Sequence, residues 1–146
     1  SQAPAAQVWP HLDHLQKLVG QVDAPTAVKQ ILRDTRDDAW LAANRARLEA
    51  GSPLSAHLVW LMLERHRHTS LADAFRDELN LSVQCCRRGD VAEGVRALLV
   101  DKDKNPKWQH ADVDSVPKAD LDALMMPLWS SERHPLRDLG AGERVN

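Results

Sequence analysis

The chain has 146 residues, 43% of them hydrophobic and 27% charged, and its 19 basic and 21 acidic side chains leave a net charge of −2. That length suffices for one domain, and the near-neutral balance gives no field that would gather nucleic acid or an anionic membrane surface. The longest apolar stretch, Leu58 to Leu63, falls far short of the roughly 20 residues a bilayer span needs, and no basic-then-apolar leader opens the sequence; neither a transmembrane segment nor an intact secretion signal is expected.

Two adjacent cysteines, Cys85 and Cys86, cannot staple a small secreted fold, so a reducing compartment and a cytoplasmic location are expected. With 5 Trp, 1 Phe, no Tyr and 6 Gly, the alternations and tight turns that sheets require are scarce. The composition predicts helices.

Residues 1–8, rich in Ala, Gln and Pro, read as a flexible lead-in. A first helix starts near Pro10, carries Leu12, Leu15 and Leu18 or Val19, and ends at Gly20 in a left-handed turn. Asp23 caps the next, with Pro25 in its first turn and Val28, Ile31 and Leu32 as its stripe. Asp37 or Asp38 caps a third, which carries Trp40, Leu41, Ala43, Asn44 and Leu48 and stops at Gly51. Ser52-Pro53 restarts the chain into a helix so broadly apolar, from Leu54 through Leu58 to Leu63, that it should be the most buried. Ser70 and Asp73 form a capping-box-like start to a fifth helix, whose expected apolar face is Leu71, Phe75, Leu79, Val83 and Cys86, closing at Gly89. Asp90 and Glu93 form a second box before Val95, Leu98 and Leu99. Asn105-Pro106 disfavours helix, so residues 101–108 read as a loop anchored by Trp108. A last helix spans Lys118 to about Met126, and residues 130–146 read as a fraying polar tail. The prediction is an all-α domain of about seven short helices over residues 9–129.

Candidate chemistry is sparse. His11 with His14, and His66 with His68, lack the further converging ligands a zinc site needs, so no metal is expected. Cys86 falls on an apolar stripe, where a thiol packs as a small hydrophobe. No Gly-rich phosphate loop and no nucleophile elbow occurs, so the chain carries no catalytic constellation of its own. Glu93 completes a helix start, Gly94 permits close helix contact, and Trp108 is suited to plug an apolar recess with its indole N–H on an acceptor.

The run Asp90-Val-Ala-Glu93-Gly94-Val-Arg-Ala-Leu-Leu-Val-Asp101-Lys102-Asp103-Lys-Asn105-Pro106-Lys107-Trp108 closely resembles the C-terminal signature of the 3-hydroxyisobutyryl-CoA hydrolase branch of the enoyl-CoA hydratase/isomerase (crotonase) superfamily. Upstream, Ser52-Pro53-Leu-Ser and a helix carrying Glu78 extend the likeness. The resemblance implies a C-terminal helical region that covers an N-terminal α/β core, the absent partner that holds the acyl-CoA pocket, oxyanion hole and catalytic carboxylate. It also implies subunit contacts in a homo-oligomer. The parent's substrate would be a coenzyme A thioester, as in valine breakdown, with no other cofactor and no catalytic residue in this chain. Lys102 matches a lysine that approaches coenzyme A in broader members, although Asp103 and Leu98 stand where those members carry Arg and Phe. The same region of a hydratase, and a free-standing interaction module built around Trp60 and Trp108, are the alternatives.

Overall fold

The computed structural model describes residues 5–20 and 22–141. Residues 1–4 of the expected lead-in and 142–146 of the expected tail lie outside the described residues. No strand occurs among the described residues, and the all-α expectation holds.

Side-chain caps set the helix starts. The turn Trp9–His11 leads into α1 (Leu12–Val19). Asp23 opens α2 (Ala24–Arg33) by accepting from the Thr26 amide at 2.9 Å, and Asp38, rather than Asp37, opens α3 (Ala39–Ala50) by accepting from Leu41 at 2.9 Å. Ser52 and Ser70 cap α4 (Pro53–Arg65) and α5 (Leu71–Arg88) in the same way. Each such bond satisfies a donor that the helix cannot satisfy internally. Gly20, Gly51 and Gly89 follow three of these helices, all with negative φ, so the left-handed turn expected at Gly20 is not made. At Gly89 the requirement is space: an added Cβ would lie 3.0 Å from the Cys85 carbonyl oxygen, which accepts the Gly89 N–H.

The core forms where α4 meets α5 and α7 (Lys118–Met125). Leu54, Leu58, Val116 and Leu124 are buried together, with Leu81, Cys85, Leu121 and Met125 packed around them. Fully burying one such leucine contributes about 1.5–3 kcal/mol, so this cluster anchors the fold. Helix α2 packs against α4, its Ala24 and Ala27 are buried, and Lys29 bridges to Asp114 of the turn Val113–Ser115 at 2.6 Å. His57 of α4 donates from Nε2 to the Val113 carbonyl at 2.8 Å.

Three expectations need correction. Helix α4 is not buried throughout: Leu54 and Leu58 face the core, whereas Val59 and Leu63 are 61% and 65% exposed on its other side. On α5 the core-facing residues are Leu81 and Cys85, while Leu71, Phe75 and Cys86 are exposed, because α7 and α4 approach a face rotated by one residue from the predicted stripe. The tail is folded through its described part: beyond the turn Ser131–Arg133, His134 is buried and the carbonyls of Leu136, Arg137 and Leu139 accept from Arg76. Polar composition concealed this, because the segment is held by backbone carbonyls rather than by apolar side chains.

Candidate functional site

Helix α6 (Val91–Val95) runs directly into a π-helical turn, Arg96–Val100, in which the Asp101 amide donates to the Arg96 carbonyl five residues back. Arg96 uses all five of its N–H directions. It donates from Nε and Nη2 to the two Glu93 carboxylate oxygens at 2.8 and 2.7 Å, and from Nη1 to Asp101 and Asp103 at 2.6 and 2.8 Å. Nη2 also reaches the Asn105 carbonyl at 3.2 Å. The planar fork matches three carboxylates and a carbonyl at fixed angles, so the acidic loop folds around one guanidinium.

Within that loop Lys102 and Lys104 have φ of 58° and 53°, the left-handed region that costs a non-glycine residue about 1–2 kcal/mol. The surrounding bonds hold them there: Lys104 donates its amide to the Ala97 carbonyl, and Asp103 accepts from the Asn105 amide. The Lys107 amide donates to Glu93 at 2.6 Å. Pro106, half-buried, carries the chain from this loop toward Trp108. The Trp108 indole N–H donates to the Ala50 carbonyl at the end of α3, and its ring lies where a Cβ on Gly94 would touch it at 3.4 Å. The expected anchor is present, with Gly94 facing an aromatic ring instead of a second helix.

The capping-box reading of Asp90 and Glu93 is overturned. Asp90 makes no side-chain cap; it is buried and accepts from Ser52 Oγ at 2.5 Å and from the Gln109 amide at 3.0 Å, fastening the start of α4 to the end of the loop. Glu93 faces Arg96 and Lys107 instead of the helix start. Sequence reasoning missed Arg96 itself; the available signal was one arginine with acidic residues three before and five and seven after it.

The electrostatics follow from these bonds. The Arg96 guanidinium, with help from the Lys107 amide, holds the Glu93 carboxyl down at about 2, and Arg96 is pushed up by its carboxylates. The Asn105 amide, then Arg96, lowers Asp103. A carboxylate so saturated with donors is a poor proton acceptor at neutral pH, so Glu93 is a structural anion rather than a general base. Lys102 is exposed, and its ammonium makes no ion pair among the described residues, since Arg96 engages the neighbouring Asp101 and Asp103. Among the described residues no three His, Cys, Asp or Glu side chains group to hold a metal, and no helix is long and apolar enough to cross a membrane. His11 and His14 turn toward Asp38 and Asp34.

This helix, loop and tryptophan anchor belong to a chain whose residues 1–125 match the family described as Enoyl-CoA hydratase/isomerase, and the chain is a member of that family. It is similar to the mitochondrial 3-hydroxyisobutyryl-CoA hydrolases of Gallus gallus, 32% identical over 83% of this chain and 32% of the relative, and of Homo sapiens, 31% identical over 82% and 31%. The corresponding Dictyostelium discoideum protein is 30% identical over 84% and 32%. The crystal structure of an enoyl-CoA hydratase from Rhodobacter sphaeroides shares the fold, with a TM-score of 0.74 at 23% identity over 88% of this chain and 37% of that one. The chain thus spans about a third of the length of the curated relatives it matches.

Proposed function

We propose that this chain is the helical C-terminal region of a 3-hydroxyisobutyryl-CoA hydrolase-like thioester hydrolase. In this reading it covers an α/β core, contributes to subunit contacts in a homo-oligomer, and does no chemistry alone. The observation that carries it is a run of large apolar side chains left exposed on the surface. Leu98, Leu99 and Val100 are consecutive and 61%, 62% and 68% exposed, and Val91 of the same helical run joins Val59, Leu63 and Cys86 around an open groove of about 750 Å³. Contiguous exposed apolar surface marks a place where another surface sits, and the matched part of this chain accounts for only 32% and 31% of the two relatives. That remainder favours a core over the free-standing module.

In the complete enzyme, backbone donors of the core would stabilise the thioester oxyanion and a carboxylate there would handle water, while Lys102 would approach the phosphates or the adenine end of coenzyme A. A role in valine breakdown and a reducing, cytoplasmic setting belong to the same proposal; the mitochondrial names are those of the relatives. The test is a substrate panel on the complete polypeptide. Release of free coenzyme A from 3-hydroxyisobutyryl-CoA supports the reading, and reversible hydration of an enoyl-CoA without that release moves the assignment to the hydratase. Thioester turnover by the purified 146-residue chain overturns the non-catalytic role.

A further inference from the structure

The segment after α7 is fastened to α5 at two places: Asn80 accepts from the Leu128 amide at 2.6 Å, and farther along Arg76 and His134 hold residues 134–139. Arg76 donates from Nε to the Leu136 carbonyl at 3.0 Å and from Nη2 to the carbonyls of Arg137 and Leu139 at 3.1 and 2.6 Å. His134, buried, meets the same two partners: its Nε2 lies 3.2 Å from the Arg76 carbonyl and its Nδ1 3.0 Å from the Leu136 amide. Trp129 packs edge-on against the ring at 5.2 Å.

Those partners fix the proton. A carbonyl only accepts, so Nε2 carries hydrogen; a backbone amide only donates, so Nδ1 is bare. The seated ring is therefore the neutral Nε2–H tautomer. A second proton, on Nδ1, would point at the Leu136 N–H, break that bond, and place a cation beside the Arg76 guanidinium.

The charged surroundings offer the imidazolium little compensation. On α5, Asp73 pairs with Arg76, and Asp77 pairs with Arg65 of α4; within the segment, Asp138 pairs with Arg137. Among the described residues no carboxylate lies within ion-pair distance of His134, whereas His11, His14, His66 and His110 each face an aspartate that protonation would strengthen.

From this geometry we infer that His134 is a pH-operated latch. Neutral, it works with Arg76 to hold residues 134–139 on α5; protonated, it releases them and widens the cleft of about 340 Å³ that Arg65, Asp77, Asn80, Trp129 and His134 line, while Asn80 keeps Leu128 in place.

Amide exchange on the complete polypeptide, corrected for intrinsic rates, tests the latch at about pH 7.5 and about pH 5.5, on either side of the imidazole range. Leu136 and its neighbours should lose roughly tenfold or more of their protection at the lower pH, as a buried amide deprived of its acceptor does, while Leu58 in α4 keeps its own. No loss at Leu136, or a parallel loss at Leu58, overturns the inference. His134→Asn keeps an acceptor two residues before the same amide without titrating, and its protection should not change with pH; an undiminished acid loss in that variant is again fatal to the latch. Should the variant be open at both pH values, the wild-type ring decides. Its NMR titration must coincide with the loss of Leu136 protection, and a separation of more than about one pH unit rejects the latch.

Discussion

Arg96 and Glu93 show how a charged pair can build backbone shape. The guanidinium has no spare donor, so its contribution is geometric: it keeps Lys102 and Lys104 in a conformation that lysines rarely adopt. The Glu93 carboxyl, lowered from 4.5 to about 2 by Arg96 and the Lys107 amide, ties that order to pH. Because the folded value is depressed, its stabilisation is complete above the ordinary glutamate range and is lost as pH falls toward 2. Protection of the Lys107 amide should therefore persist at pH 5 and decline below about pH 4, and Glu93→Gln should remove that acid dependence in the same exchange measurement. Gly94 makes a second prediction. The ring of Trp108 leaves room for a single methyl, so Gly94→Ala should raise stability by about 0.5–1 kcal/mol through helix propensity. Gly94→Leu, which cannot avoid the indole, should lower it by about 1–3 kcal/mol in denaturant melts.

Helices illustrate which signals survive in a single sequence. Starts at Asp23, Ser52 and Ser70 were legible because a cap is a local bond, made by a side chain to an amide three residues on. The Asp90 and Glu93 start misled for the same reason: both carboxylates had stronger partners at Ser52, Gln109, Arg96 and Lys107, most of them remote in sequence. The anchor at Trp108 was legible from its size and indole N–H, whereas the hub at Arg96 required the loop to fold back. The face of α5 shows another limit, since period alone allows neighbouring stripes and only the approach of α4 and α7 selects Leu81 and Cys85. The thiols report that choice. Cys86, exposed, should be alkylated readily, whereas Cys85, packed on the core and pushed up by burial, should react at least about tenfold more slowly, as peptide mass spectrometry after timed labelling would show.

At the scale of the whole molecule, the apolar residues that point outward are as informative as those inside. Leu99→Gln should leave the melting of the 146-residue chain within about 0.5 kcal/mol of the parent, because the side chain has little to lose there. In the complete polypeptide the same change should destabilise by about 1–3 kcal/mol if Leu99 is covered by the core, since a polar amide would then be buried; equal melting in both contexts would place Leu99 outside any such interface. The inner cluster has a different consequence. Leu54 and Leu58 come from before the Arg96 loop, and Val116 and Leu124 from after it, so this cluster belongs to neither half of the chain alone. A cut at the exposed Lys104 would not yield two independent units: each piece would be a template lacking its counterpart, and they would hold their shape only as a noncovalent pair.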